Sequence, residues 1–293
     1  MTDFAAPRRR TLSLPARGGD MALIEMGDPD RPVDLVFVHA NGFNALTYRA
    51  VMAPMAERFR ILMPDLRGHG RTGLPVQTAG RRGWDDLGDD LAALLDTIEG
   101  PPVVLAGHSM GGTSSLLAAG RRPERVSRLV LFDPVIWSRG AAFAFRFPIL
   151  RDLPSRIPMV KAAVKRRRTF DDRDQALKAY RGRGAFKGWP DAMIADYLED
   201  GLVETAEGGL VLACTPEWEV SNYIAQGHDP WRVLDRLDRP VRVLKAETGS
   251  PCNVGSDARS GRLVETVAGG NHFFPMVMPD VAREALATAC DTG

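Results

Sequence analysis

Short apolar runs alternate with helical patterns along the first half of the chain. Residues 11–14 and 21–25 flank the turn Arg17-Gly18-Gly19-Asp20, which predicts an opening pair of strands. Apolar runs at 34–39, 61–64, 103–106 and 129–132 predict further strands, and a helical segment over 48–58 separates the first two. Between 84 and 99, Trp84, Leu87, Leu91, Leu94, Leu95 and Ile98 fall on one helical face, with Asp85 and Asp86 in the first turn. Another helix is predicted over 113–121. Strands separated by crossover helices imply an α/β fold, with a mostly parallel sheet covered on both faces.

That rhythm stops after Pro134. From 138 to 228 the chain is helical in patches, rich in Arg, Phe and Gly, and shows no clear buried strand. A structureless loop of that length does not suit a compact domain, so the stretch predicts an inserted helical cap. Strand patterns return at 241–246 and 263–267, and a last helix is expected over 279–288. The expected division is a core of residues 1–137 and 229–293 with a cap of residues 138–228 inserted in it. There is no internal repeat.

Composition removes several function classes. The 293 residues carry 38 Lys and Arg against 37 Asp and Glu, so no global charge favours nucleic acid. The local run Lys165-Arg166-Arg167-Arg168 reads as a charged face in solvent. Cys214, Cys252 and Cys290 are far apart and odd in number, with neither metal spacing nor a disulfide framework. Arg8-Arg9-Arg10 is not followed by an apolar run, so no signal peptide is expected, and no stretch has the length of a membrane span. A cytoplasmic protein is expected, with neither nucleic acid nor a membrane as partner.

The chemistry concentrates at Gly107-His108-Ser109-Met110-Gly111-Gly112, a G-x-S-x-G pattern between the strand at 103–106 and the helix at 113–121. A serine on so tight a strand-to-helix turn sits in a strained backbone, with its hydroxyl exposed at a helix N-terminus. Ser109 is the candidate nucleophile, and it needs a base within hydrogen-bond reach.

Five histidines can be weighed for that role. His108 cannot easily turn back to its neighbour. His69 sits in the glycine-flanked turn Asp65-Leu66-Arg67-Gly68-His69-Gly70, His39 ends a strand as a loop organiser, and His228 closes the cap region. His272 follows Gly269-Gly270-Asn271 beyond a strand's carboxyl end, where α/β ligands gather, and completes a serine-first, histidine-last order. It is the candidate base.

A carboxylate should hold the imidazole. In Glu247-Thr248-Gly249-Ser250, after the strand at 241–246, Gly249 stands where an aspartate is sought. Asp133, at the carboxyl end of the strand at 129–132, is favoured, with Glu247 the alternative. The oxyanion needs two donors: the backbone N–H of Met110, and one from His39-Ala40-Asn41-Gly42-Phe43, where Asn41 is the first choice and Gly42 the next.

Together these residues resemble the α/β-hydrolase superfamily in its capped serine-hydrolase branch. The resemblance covers nearly all the core. It implies an eight-stranded, mostly parallel sheet with helices on both sides and a lid after the sixth strand. It likewise places the nucleophile on Ser109 and the base on His272. Ala40 and Gly249 depart from the family pattern, and the second departure moves the acid to Asp133.

The expected function is hydrolysis of a small carboxylic ester, lactone or thioester through an acyl-enzyme, with no cofactor and no metal. Two alternatives stay open. One is carbon–carbon bond hydrolysis or cofactor-free oxygen chemistry on the same fold. The other is a small-molecule-binding protein with a vestigial triad. The cap offers Phe143, Phe145, Phe147, Phe170, Phe186, Trp189, Tyr197, Trp218, Tyr223, Met159 and Met193 to a partly apolar pocket. Glu217 and Glu219 read first as solvated charges, with recognition of a polar or cationic group as the other reading.

Overall fold

A computed structural model of the protein describes residues 3–147 and 158–292, and the side chains of residues 158, 159 and 259 are not described. Met159, one of the expected pocket residues, therefore lies outside the described side chains. Six strands come first: β1 (Arg8–Leu14), β2 (Gly19–Met26), β3 (Leu35–Val38), β4 (Ile61–Pro64), β5 (Val103–His108) and β6 (Val126–Phe132). Three short ones follow, β7 (Thr169–Phe170), β8 (Leu202–Glu204) and β9 (Leu210–Leu212), and then β10 (Val241–Thr248) and β11 (Arg262–Asn271).

Eight of these strands form one sheet in the order β1-β2-β4-β3-β5-β6-β10-β11. The β1–β2 and β2–β4 pairs are antiparallel and the rest parallel. The central strands β3 and β5 are buried along their whole length, which is why they read as unbroken apolar runs. Their side chains alternate between two cores. Leu35 and Phe37 join the cluster containing the helix Pro279–Asp291, while Val36 and Val38 join the one containing the helices Asp85–Thr97 and Met110–Arg121.

The helical expectation over 48–58 resolves into short pieces. An α-helical turn at Arg49–Met52 gives way to a 3-10 turn at Ala53–Met55, where Pro54 has no N–H to continue the ladder.

The segment between β6 and β10 departs from expectation in one respect. Besides its helices, among them Arg173–Tyr180, Asp191–Gly201 and Pro216–Ile224, it contains a small antiparallel sheet ordered β7-β9-β8. Strands of two or three residues are too short to show a two-residue alternation in sequence. The β8–β9 turn is closed by Gly208 and Gly209, both at positive φ. The apolar side chains Phe170, Phe186, Trp189, Tyr197 and Leu198 of this segment merge with one of the two sheet cores, so it is packed onto the rest of the molecule. No helix among the described residues is long and apolar enough to cross a membrane.

Candidate active site

The turn from β5 into the helix Met110–Arg121 places Ser109 at φ 55° and ψ −119°, a left-handed backbone that a side-chain-bearing residue rarely adopts. A Cβ on Gly107 would come within 2.6 Å of the Gly111 backbone, so only glycine permits this turn to close. Ser109 donates its own N–H to the carbonyl of Phe132 on β6 (2.9 Å), which ties the turn to the neighbouring strand. Met110 opens the helix, so its N–H has no intrahelical acceptor.

Three side chains from three strand ends meet here. His272, just past β11, lies with Nε2 2.9 Å from the Ser109 hydroxyl and Nδ1 2.6 Å from Oδ2 of Asp133, just past β6. A carboxylate can only accept, so the ring proton belongs on Nδ1 and Nε2 accepts from the Ser109 hydroxyl. Asp133 is fully buried at positive φ. Burial alone would raise its pKa, but hydrogen bonds from His272, from the Ser250 hydroxyl (2.5 Å) and from the Ala246 N–H (3.0 Å) hold it below the usual carboxylate range.

Glu247 does not take part in this arrangement. Ala246 faces inward and hydrogen-bonds Asp133, so the next residue along β10 points outward. Glu247 is exposed and accepts the N–H of Gly269 (2.7 Å).

The loop after β3 carries Asn41 and Gly42. Gly42 donates its N–H to Nε2 of His69 (3.1 Å) and so has no free donor for an oxyanion. The Asn41 N–H makes no hydrogen bond among the described residues, while its side chain is fixed by the Glu219 carbonyl (3.0 Å) and the Asn222 amide (2.8 Å).

The remaining histidines are buried and kept neutral. Burial lowers His39 to about 4, His108 and His228 to about 3, and His69 well below its usual value. His39 and His69 organise the two loops beside the site: the Leu66 N–H donates to His39 (2.9 Å), and His69 Nδ1 donates to the Arg67 carbonyl (2.9 Å). His228 stacks on Trp84, with ring centroids 4.5 Å apart.

His108 reaches further than local packing. Its Nε2 donates to the His272 carbonyl (2.7 Å) and its Nδ1 accepts from the Tyr48 hydroxyl (2.7 Å). Tyr48 in turn accepts the Ala40 N–H (3.2 Å), so one chain of hydrogen bonds links the β3 loop to His272. Tyr48, His108 and Ser250 are the supporting residues that pattern reading did not find. The signal for Ser250 was its place beside Gly249, in the loop already searched for an acid.

Phe43 joins this core to the segment above it. Its ring meets Phe186 (5.9 Å), Trp189 (5.3 Å), Tyr197 (5.8 Å) and Phe273 (6.0 Å), and Phe273 lies 5.1 Å from His272. Other expected pocket residues lie apart. Phe143 and Phe147 are exposed and meet edge to face, Phe145 packs on Trp137, Phe170 packs against Tyr180, and Trp218 donates to the Arg67 carbonyl. Met193 is buried in the packed core of the segment, whereas Tyr223 lies beside Glu219, whose carbonyl holds the Asn41 side chain, and so stays close to the site.

Matching these elements to known proteins gives one family. A model of the alpha/beta hydrolase family covers residues 35–285 of the chain. The chain belongs to the alpha/beta hydrolase family. Among similar proteins of this family is the 2-(acetamidomethylene)succinate hydrolase of Mesorhizobium japonicum, 23% identical over 88% of this chain and 87% of that protein. The magnesium-chelatase 30 kDa subunit of Rhodobacter capsulatus is 26% identical over 94% of this chain and 91% of the relative. A solved thioesterase domain from the curacin biosynthetic pathway superposes with a TM-score of 0.72 at 17% identity, covering 96% of this chain and 99% of that one.

Two charged groups of this alpha/beta hydrolase differ from the expectation that they are solvated. Glu219 is buried, and Arg166, out of the basic run, turns inward to meet it (Nη1 to Oε2 2.7 Å). Burial raises the Glu219 carboxyl above the usual range even though Arg166 opposes that shift. Glu217, by contrast, is exposed and pairs with Arg168 at the surface.

Proposed function

We propose that this alpha/beta hydrolase cleaves a carboxylic ester, lactone or thioester through an acyl-enzyme on Ser109. The observation that carries this reading is the continuous line from Asp133 through His272 to the Ser109 hydroxyl, with contacts of 2.6 and 2.9 Å. Ser109 attacks the carbonyl carbon while His272 takes its proton at Nε2, and Asp133 stabilises the imidazolium. The N–H groups of Met110 and Asn41 hold the oxyanion, each worth about 10²–10³ in rate. His272 then returns the proton to the leaving group, and the same histidine activates the water that frees the acid.

Residues 138–228 serve as the lid over this site, excluding water and shaping the acyl pocket. The similar thioesterase and the 2-(acetamidomethylene)succinate hydrolase are both named for hydrolytic reactions, which supports the reaction class. The unpaired Cys214, Cys252 and Cys290 suit a reducing, cytoplasmic setting.

The test is pre-steady-state hydrolysis of 4-nitrophenyl acetate. Wild type should release 4-nitrophenolate through Ser109, and Ser109→Ala should remove nearly all of the enzymatic rate. Release from Ser109→Ala at the wild-type rate would contradict the mechanism.

A further inference from the structure

The basic run 165–168 divides in the folded molecule. Lys165, Arg167 and Arg168 stay exposed, whereas the Arg166 side chain retains only 17% of its exposure. Single-nitrogen ion pairs are common at this surface, but among the arginines as little exposed as Arg166 its pairing is sparse: Arg60, Arg67 and Arg81 each hydrogen-bond through two or more nitrogens. Arg67 grips Asp90 with two nitrogens (2.9 and 2.7 Å), and Arg139 grips Asp235 in the same way (2.8 and 2.7 Å). Arg166 uses Nη1 alone, and its Nε and Nη2 make no hydrogen bond among the described residues. A guanidinium serving only as a lock would engage its fork. Among the described residues, this one is held at one corner, through Nη1 alone.

The pair also abuts the loop that carries the candidate oxyanion donor. A Cβ on Gly42 would come within 2.9 Å of Glu219 Oε1 and 3.3 Å of Arg166 Nη1. Gly42 lies between Asn41, the candidate oxyanion donor, and Phe43, whose ring meets Phe273 beside His272. The surroundings are rich in neutral donors. Arg166 lies 6.0 Å from the Tyr180 ring centroid, and the Tyr180 hydroxyl is buried without a partner of hydrogen-bond geometry among the described residues. The Tyr223 hydroxyl lies 3.5 Å from Glu219 Oε1. Burial raises both phenols, so they remain protonated donors at neutral pH.

We propose that Arg166, steadied by Glu219, binds a carboxylate on the acyl portion of the substrate, making this enzyme selective for half-esters or half-thioesters of dicarboxylic acids. The proposal rests on the acyl-enzyme reading above and adds the substrate class. A planar carboxylate matches the open edge of the guanidinium, and the nearest acceptor, Glu219, is already committed to Arg166, so a cationic ligand would have to displace it. Glu219 has two opposed effects: it orients the arginine, and its charge repels a second carboxylate nearby.

The two substitutions should therefore move selectivity in opposite directions. The assay compares kcat/KM for mono-4-nitrophenyl succinate with that for 4-nitrophenyl butyrate. Wild type should favour the succinate half-ester, and Arg166→Gln should lower the succinate-to-butyrate ratio by about 10- to 100-fold, the range for loss of a charged hydrogen bond. Glu219→Gln should raise that ratio. Equal losses on both esters in both variants would mark the pair as a structural lock and overturn the proposal, as would wild-type preference for butyrate. Calorimetry of monomethyl succinate on Ser109→Ala reads the same site without turnover. Binding lost on adding Arg166→Gln supports the proposal, and absence of binding to Ser109→Ala overturns it. Loss of the acyl-enzyme reading would show separately, as a rate unchanged by Ser109→Ala.

Discussion

The loops at the strand ends and the segment above them are built by different rules. Around Ser109, Asp133 and His272, backbone geometry does the positioning. Two of the three residues have positive φ, and each stands within one residue of a parallel strand's carboxyl end. Over residues 158–228, side-chain pairing does it: Arg166 meets Glu219 across 53 positions, and Trp218 meets the Arg67 carbonyl across 151. A strand end carries its side chain to a place fixed by the sheet. A residue of that segment goes where its partner is.

The largest expected effect lies at the strand ends. Asp133→Asn should lower kcat/KM for an activated ester by roughly 10⁴, because an amide cannot hold the productive tautomer of His272. Glu247→Gln should leave it within about twofold, as for an exposed surface substitution. A reversal of that order would undo the distinction between the two carboxylates. Ser250→Ala comes next. Losing a hydrogen bond to a charged group costs about 1.5–3 kcal/mol, so a 10- to 100-fold loss in kcat is expected. Removing that donor also raises the Asp133 pKa, so the acid limb of the rate profile should move to higher pH.

In the segment between β6 and β10, Trp218→Phe removes the hydrogen bond to the Arg67 carbonyl and should cost about 1 kcal/mol of stability. It should leave kcat nearly unchanged. A tenfold fall in kcat there would mean that this segment, too, positions the reacting groups.

Legibility followed the same division. Gly107, Ser109 and Gly111 could be read because a tight strand-to-helix turn admits few residues, and His272 because glycines precede it after a strand. The strands β3, β4 and β5 were legible because buried strands are unbroken apolar runs, and β1 and β2 because a glycine-containing turn separates them. Nothing local marks Arg166 as different from Arg167 and Arg168, or Glu219 from Glu217. Their inward turn is decided by a partner tens of residues away. The strands β7 to β9 escaped notice for a simpler reason, since two or three residues carry no periodicity.

A separate effect is on the pH dependence of folding. Buried histidines held near 3 to 4, against an ordinary 6.5, make the unfolded chain the better proton acceptor. Their contribution is therefore complete above about pH 6.5 and is lost as pH falls from there toward the folded values. Thermal melts between pH 7.5 and 5 should show falling stability, with a slope reduced by about one proton in His228→Phe. An unchanged slope would mean that His228 already carries its proton in the folded state.

The central claim is an activated Ser109, and intact-mass spectrometry after fluorophosphonate treatment reads it most directly. The account predicts one covalent adduct on the folded wild-type protein and none on Ser109→Ala. An unlabelled wild type, or an adduct that survives Ser109→Ala, would contradict it.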